Sequence, residues 1–155
     1  MPPRQIVDLL DSQQIPYEVM AHERAYTAQG VAASLHVRGR DFAKPVIVKT
    51  ADGRLIMAVI PGPRHVDLHA MERLLGTRVE LAREEEFASL FPGCELGAEP
   101  PFGNLYNLPV YADESLGKDP EIIFNAGTHL EAIRMKYLDF EKVVRPVVAP
   151  VATPS

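Results

Sequence analysis

The stretch KPVIVKTADGRLIMAVI, residues 44–60, decides the fold of this 155-residue chain. Its two apolar runs, rich in β-branched residues, are joined by Ala51, Asp52 and Gly53. An Asp-Gly pair favours the positive backbone dihedrals of a hairpin turn. Because both runs are almost continuously apolar, we expect the two strands to lie centrally in a sheet that is covered on both faces.

Helical and strand patterns mix on both sides of this hairpin. Upstream, the spacing predicts a short helix at Ile6–Leu10, an edge strand at residues 15–19 and a second helix capped by Thr27, with Val31, Ala32 and Leu35 facing in. Downstream, it predicts a helix capped by Asp67 and ended by Gly76, a strand at TRVELA, a helix at REEEFASLF, strands near LPVYAD and EIIFNAG, and a helix from His129 through Tyr137. The order predicts an α/β (α+β) domain with a mixed, largely antiparallel central sheet flanked by helices.

The length and the 46% hydrophobic content suit one domain with one core. We expect residues 1–146 to form that domain. The end of the chain, RPVVAPVATPS, loses periodicity and gains prolines. Residues 147–155 are therefore expected to be a disordered or loosely docked, proline-rich tail.

The charge limits the classes of partner. A formal net charge of -5 argues against a protein that coats nucleic acid, and we expect no DNA partner. Residues 38–65 are locally basic and could hold a small phosphate-bearing group, although a solvated mixed surface is as common. No apolar run approaches membrane-spanning length, so we expect no membrane partner, no signal peptide and a cytoplasmic location.

Covalent and metal chemistry find weak support. Cys94 is the single cysteine, which excludes an internal disulfide and a multi-thiolate zinc site. No spacing selects a base for it among the five histidines His22, His36, His65, His69 and His129. The segment HVDLH, residues 65–69, does not match the zinc-protease pattern, so we interpret its histidines as surface or cap residues and predict no metal or cofactor.

Two glycine-containing loops, GAEPPFG at residues 97–103 and NAGTH at residues 125–129, remain as candidates together with Lys44. Glycines allow backbone amides to converge on an anion or a developing oxyanion. Proline lacks the N–H, so the donors of the first loop must come from Gly97, Ala98, Glu99, Phe102 and Gly103. The alternative is that both loops are ordinary tight turns and that Lys44 merely flanks a buried strand.

The order of these features resembles a known family. Lys44 before a buried strand, the G-x-x-x-P spacing of Gly97 and Pro101 followed by Phe102-Gly103, and Gly127-Thr128-His129 opening a helix are similar to the YbaK-type aminoacyl-tRNA deacylase family. That family also supplies the editing insertion of bacterial prolyl-tRNA synthetases. The similarity runs from about residue 4 to 146 and is clearest in AKPVIVKTADGRLIMAVIPG, ELGAEPPFG and FNAGTHLEAIRM.

The resemblance implies hydrolysis of the ester that joins a wrong amino acid to tRNA. It implies that Lys44, Gly97 and Pro101 are the catalytic positions. The residues implied to bind the substrate are Ala98, Glu99, Phe102, Gly103, Gly127, Thr128 and His129. Water would attack the ester without a covalent intermediate or a cofactor, because backbone donors can stabilise the tetrahedral charge. The expected partners are the acceptor end of aminoacyl-tRNA and an aminoacyl-tRNA synthetase.

One departure leaves the accepted amino acid open. Glu99-Pro100 stands inside the loop where other branches have small or polar residues, and we expect a small substrate such as alanine, serine, cysteine or proline. Two other functions remain as alternatives. The first is a non-catalytic module of the same fold that binds a nucleotide, an aminoacyl group or a tRNA end alongside a synthetase. The second is an unrelated Cys-His hydrolase that uses Cys94.

Overall fold

The computed structural model describes residues 3–22, 30–31, 35 and 38–154. In this part of the chain the α-helices are α1 Arg4–Ser12, α2 Leu68–Leu75, α3 Glu84–Phe87 and α4 Tyr137–Val144. The strands are β1 Tyr17–Ala21, β2 Ala43–Thr50, β3 Leu55–Pro61, β4 Val79–Leu81, β5 Val110–Asp113, β6 Glu121–Asn125, β7 Glu131–Lys136 and β8 Val147–Ala149. Short 3-10 helices occupy Gly39–Asp41, Ala88–Leu90, Gly103–Tyr106 and Glu114–Lys118. The predicted mixed class, with a largely antiparallel arrangement and flanking helices, is confirmed.

The predicted hairpin forms the centre of a five-stranded sheet. Strands β2 and β3 pair antiparallel from Ala43 opposite Pro61 to Lys49 opposite Leu55. The sheet order is β4-β2-β3-β5-β8, in which β5 and β8 continue the sheet in parallel. One face of the hairpin packs on the larger core, and the other packs on α2. The expectation of central strands covered on both faces is confirmed.

Helix α2 has the predicted ends. The Asp67 side chain accepts a hydrogen bond from the N–H of Ala70, and Gly76 ends the helix in the left-handed conformation. Side-chain capping satisfies an amide that has no intrahelical partner, and glycine adopts the left-handed conformation without a Cβ penalty. The caps therefore stabilise both ends of α2, and its buried face packs on the hairpin.

A second sheet has the order β1-β7-β6 and is antiparallel throughout. An isolated bridge between Phe42 and Ile123 joins it to the start of β2. The predicted helix from His129 through Tyr137 is wrong, because residues 131–136 form β7 and α4 begins only at Tyr137. Strand β7 pairs on both sides and buries side chains on both faces, and this tertiary pairing overrides the helical spacing of the sequence.

The expected disorder of residues 147–155 is also wrong. Strand β8 pairs in parallel with β5, and Val151 beyond it is fully buried. The buried carboxylate of Asp113 accepts the N–H groups of Val151 and Ala152, each at 2.9 Å. The segment therefore stays docked past Pro150, because the Asp113 carboxylate accepts the backbone N–H groups that follow this proline.

The second predicted helix lies mostly outside the described residues, as do Thr27 and Ala32. Val31 and Leu35 are helical, and Val31 is buried against Phe42, Ile123 and Ala132. No helix in the described residues is both long enough and apolar enough to span a membrane.

Candidate active site

Strand β2 is covered on its outer edge along only part of its length. Its pairing with β4 involves Val48–Thr50, and Pro45, Val46 and Ile47 instead line a cavity of about 240 Å³. The remaining cavity walls come from Leu81, Ala82, Glu84, Phe87, Leu96, Gly97 and Glu99. The Ile47 carbonyl points to the outer edge of β2, where it accepts the Ala82 N–H at 3.0 Å. Pro45 lies two residues earlier, so its backbone faces the same edge, and proline has no N–H to donate there. A proline is tolerated there because no neighbouring strand needs that N–H.

The GAEPPFG loop begins with a tight turn, the alternative that the sequence left open for this loop. The Ala98 N–H donates to the Glu95 carbonyl at 3.0 Å, and Gly97 has a φ of 86°. A positive φ at the third position of such a turn requires glycine or a similarly permissive residue. Gly97 is therefore fixed by backbone geometry.

The structure brings the two glycine-containing loops together. The Glu95 N–H donates to the Gly127 carbonyl at 2.7 Å, and the Gly127 N–H donates to the Ala98 carbonyl at 3.0 Å. These two hydrogen bonds join the turn that contains Gly97 to the segment between β6 and β7. The loops that the sequence singled out separately form one unit.

His129 fastens this unit from the side. Its buried ring donates from Nε2 to the Leu96 carbonyl at 2.7 Å, so Nε2 carries a proton. Its backbone N–H donates to Glu95 Oε1 at 2.6 Å. A Cβ added at Gly97 would lie 3.4 Å from His129 Cε1. His129 thus sets the position of the turn that carries Gly97.

The predicted helix opening at Gly127, Thr128 and His129 is wrong. These residues lie in the turn that joins the antiparallel strands β6 and β7. Gly127 has a φ of 89°, and Thr128 Oγ1 accepts the Leu130 N–H at 3.2 Å. The Thr128 hydroxyl therefore serves the turn.

Glu99 is a buried carboxylate inside the loop, with 8% of its surface exposed. Both of its oxygens accept the Gly97 N–H, at 3.1 and 3.0 Å. Burial raises the pKa of Glu99, the nearby backbone N–H groups and His129 lower it, and Glu84 raises it. No ion pair of Glu99 is present among the described residues.

The loop uses two of its own amides internally. The Gly97 N–H is taken by Glu99, and the Ala98 N–H is taken by the Glu95 carbonyl. The structure therefore leaves fewer amides for an anion than the five that the sequence suggested.

The end of the loop belongs to the core. Phe102 is fully buried, with its ring centroid 5.3 Å from Phe124 and 5.7 Å from Phe140. A Cβ at Gly103 would lie 2.7 Å from Val110 Cγ2. Neither Phe102 nor Gly103 lines the cavity, so both are placed to anchor the loop. Pro101 is buried beside them.

Lys44 lies at the start of β2, opposite Ile60, and immediately precedes Pro45, which lines the cavity. It is half-buried, burial lowers its pKa, and its side chain makes no ion pair or hydrogen bond in the described part of the chain. Val46, two residues along on the same face of the strand, lines the cavity, whereas Lys44 itself does not. The flexible four-carbon stem of lysine can extend along that face.

Cys94 lacks the surroundings of a nucleophile. Its Sγ lies 3.8 Å from the Tyr106 hydroxyl, and no hydrogen bond joins it to a described histidine. Burial raises the pKa of the Cys94 thiol, and the Tyr106 contact lowers it in part. His65 and His69 are exposed, as predicted, while His36 lies outside the described residues. The described residues contain no group of three or more metal-ligating side chains.

Sequence reasoning missed Glu95 and Leu96, which bind His129 through a carboxylate and a carbonyl. It also missed the cavity wall formed by Pro45, Leu81 and Phe87. These residues show no periodicity or motif in common, so only the fold reveals that they meet.

The sequence is similar to those of known proteins. A sequence model of the aminoacyl-tRNA editing domain family matches residues 22–143. The multifunctional Ser/Thr-tRNA deacylase ProXp-y of Escherichia coli strain K12 is 26% identical over 151 residues, which cover 92% of this chain and 88% of that protein. Its counterpart in Escherichia coli O157:H7 has the same identity and coverage.

Solved structures share the fold. The crystal structure of the hypothetical protein APE2540 superposes with a TM-score of 0.87 at 23% identity, covering 96% of this chain and 99% of that one. A protein described as a candidate trans-editing enzyme for prolyl-tRNA synthetase superposes with a TM-score of 0.82 at 22% identity, covering 97% and 96%. Because the family match spans most of the sequence, the chain belongs to the aminoacyl-tRNA editing domain family and is an enzyme of the aminoacyl-tRNA deacylase class.

Proposed function

We propose that this chain hydrolyses, in trans, the ester of mischarged tRNA that carries a small amino acid. The observation that carries the proposal is the pair of loops joined by Glu95, Gly127 and His129 beside the cavity at the open edge of β2. A cavity of about 240 Å³ is small for a ligand site and suits a short side chain better than a large one. Serine and threonine are the first candidates because of the E. coli relatives, followed by alanine, cysteine and proline.

The chemistry that we propose is direct attack by water. An aminoacyl ester has a good leaving group, so a positioned water and stabilisation of the tetrahedral oxyanion suffice. The raised pKa of Cys94 disfavours the thiolate that a covalent route would need. This supports a mechanism without an acyl-enzyme.

Lys44 supplies the positive charge in this proposal. A half-buried ammonium that has no counter-ion among the described residues can contact a carbonyl or phosphate oxygen of the aminoacyl-adenosine end. Gly97 and Pro101 hold the loop against which the ester lies. His129 acts as a positioning residue through the Leu96 carbonyl.

Selection by size follows from the cavity walls. Pro45, Ile47, Leu81 and Phe87 are apolar, and one methylene in such a pocket changes binding by about 1–3 kcal/mol. We infer a preference of about tenfold or more for small side chains over leucine or phenylalanine.

The proposed partners are the acceptor end of aminoacyl-tRNA and an aminoacyl-tRNA synthetase, with the cytoplasm as the site of action. A net charge of -5 supports weak intrinsic affinity for tRNA, which a synthetase would supplement.

The test is release of amino acid from tRNAs charged with serine, threonine, alanine, cysteine, proline, leucine or phenylalanine, at matched concentrations. We expect rapid loss of one or two small amino acids and stable leucyl and phenylalanyl esters. Loss of none of the seven from folded protein would refute the function, and equal loss of all seven would refute the size selection.

A further inference from the structure

We propose that Glu99 recognises the free α-ammonium group of the aminoacyl ester, so that the cavity prefers esters of free amino acids to esters without that positive charge. The inference rests on the proposed function and adds to it the chemical group of the substrate, the α-ammonium, that the loop recognises.

The geometry provides a carboxylate with unused capacity. Glu99 lines the cavity, and its two oxygens have only backbone N–H donors, those of Gly97 and of Glu99 itself. A carboxylate offers about four acceptor positions. An ammonium group has three donors on one tetrahedral centre and could fill positions that the protein leaves open.

The charge balance favours a cationic ligand. Glu99 is buried and forms no ion pair among the described residues; His129 lowers its pKa, whereas Glu84 on the same cavity adds a second negative charge and raises it. A buried carboxylate without a partner is unfavourable, and its pKa is raised accordingly. A bound ammonium removes this penalty, because an opposite charge nearby stabilises the ionised form.

A purely structural role for Glu99 makes a different prediction. If the side chain only accepts the Gly97 N–H, a neutral amide oxygen performs the same task, and Glu99→Gln leaves substrate discrimination unchanged. If the negative charge of Glu99 binds the α-ammonium group, the same substitution removes the preference for esters that carry this group, while the loop keeps its conformation. The isosteric variant therefore separates the two roles.

The experiment compares two esters on the same tRNA. Seryl-tRNA or threonyl-tRNA, whichever is cleaved, is treated with nitrous acid to convert the ammonium into a hydroxyl, which gives the nearly isosteric α-hydroxyacyl ester. KM and kcat are measured for both esters with wild type, Glu99→Gln, Glu99→Asp and Glu85→Gln. Circular dichroism and thermal melting verify that each variant is folded. Glu85 lies outside the cavity lining and serves as the matched charge control.

We expect wild type and Glu85→Gln to show a KM about ten- to hundredfold lower for the aminoacyl than for the hydroxyacyl ester, as for a hydrogen bond to a charged group. Glu99→Gln should raise KM for the aminoacyl ester to near that of the hydroxyacyl ester, and Glu99→Asp should keep part of the difference. Equal KM values for both esters with wild type would overturn the inference without any variant, even if Glu99→Gln failed to fold. An unchanged ratio in folded Glu99→Gln would also overturn it. Cleavage of neither ester by wild type would instead refute the proposed function, and this inference with it.

Discussion

The two ends of strand β2 differ in whether their charged side chains form ion pairs within the described residues. At the turn end, the Lys49 ammonium contacts the Glu86 carboxylate, and this contact holds the pKa of Glu86 down to about 2. At the other end, Lys44 lies beside the cavity that Glu99 lines, and neither has a counter-ion among the described residues. Burial lowers the pKa of Lys44 and raises that of Glu99.

The difference separates stability from function along one strand. Paired charges at the turn end favour the folded state, whereas unpaired half-buried or buried charges oppose it. A protein retains such charges where a ligand supplies the missing partner. We therefore interpret Lys44 and Glu99 as residues kept for the substrate and the Lys49–Glu86 pair as part of the scaffold.

The largest expected effect on the deacylation rate comes from replacing one lysine of β2, Lys44, and a second one, Lys49, serves as its control. Lys44→Ala should lower the single-turnover rate of deacylation about a hundredfold or more, because a preorganised charge next to the oxyanion is lost. Lys49→Ala, on the same strand, should keep the wild-type rate within about a factor of two and lose a little stability. Quenched-flow release of labelled amino acid measures both. A folded Lys44→Ala variant with the wild-type rate would remove Lys44 from the mechanism.

An intermediate effect is expected from two glycines with similar backbones. Gly97 has a φ of 86° and Gly93 a φ of 80°, so alanine at either position should cost about 1–2 kcal/mol of stability. A Cβ at Gly93 meets nothing within 4 Å, whereas a Cβ at Gly97 lies 3.4 Å from His129. The His129 distance is an ordinary van der Waals contact, so the difference lies in position: Gly97 lines the cavity and Gly93 does not. Relaxation of the strained backbone in Gly97→Ala should therefore slow deacylation about tenfold, and Gly93→Ala should not, since small displacements at a catalytic centre have large effects on rate.

Thermal melting and single-turnover kinetics on both glycine variants test this comparison. Equal rates in the two variants, at equal loss of stability, would show that the backbone conformation at Gly97 does not position the reacting groups.

The smallest expected effect is a pair of stability changes with opposite signs. The folded pKa of Glu86 is depressed from 4.5 to about 2, so its contribution is present above 4.5 and is lost as the pH falls toward 2. Glu86→Gln should lower stability at neutral pH. The folded pKa of Glu99 is raised above 4.5, so its ionisation destabilises the fold above that raised value. Glu99→Gln should leave stability unchanged or raise it at neutral pH, and the gain should vanish in acid.

Thermal melts of wild type and both glutamine variants, from neutral to acid pH, measure the two signs. A loss of stability in Glu99→Gln as large as that in Glu86→Gln would mean that Glu99 belongs to the scaffold.

The sequence predicted the parts of the fold that local chemistry determines. The hairpin at Asp52-Gly53 and the caps Asp67 and Gly76 of α2 all agree with the structure, because turn and cap residues act on their immediate neighbours. The sequence could not predict β7 or β8. Strand β7 is decided by pairing with β1 and β6, and β8 by pairing with β5, while the Asp113 carboxylate holds the residues after β8.

The site was predictable in its loops but not in their contacts. Glycines and prolines singled out residues 97–103 and 125–129 as candidate loops, and the hydrogen bond from the Gly127 N–H to the Ala98 carbonyl joins them in the structure. The spacing could not show that Glu95 and Leu96 bind His129, or that Phe102 points into the core. These contacts depend on distances between segments more than 20 residues apart, and such distances leave no local pattern.

The most direct test of the account measures binding and stability on the same variants. A non-hydrolysable analogue, an aminoacyl group joined to 3′-aminoadenosine by an amide, is titrated calorimetrically into wild type, Lys44→Ala and Glu99→Gln, and each protein is melted without ligand. We predict that both variants bind the analogue about tenfold or more weakly and melt at or above the wild-type temperature. Variants that melt lower and bind as tightly as wild type would contradict the claim that these two charges are kept for the substrate.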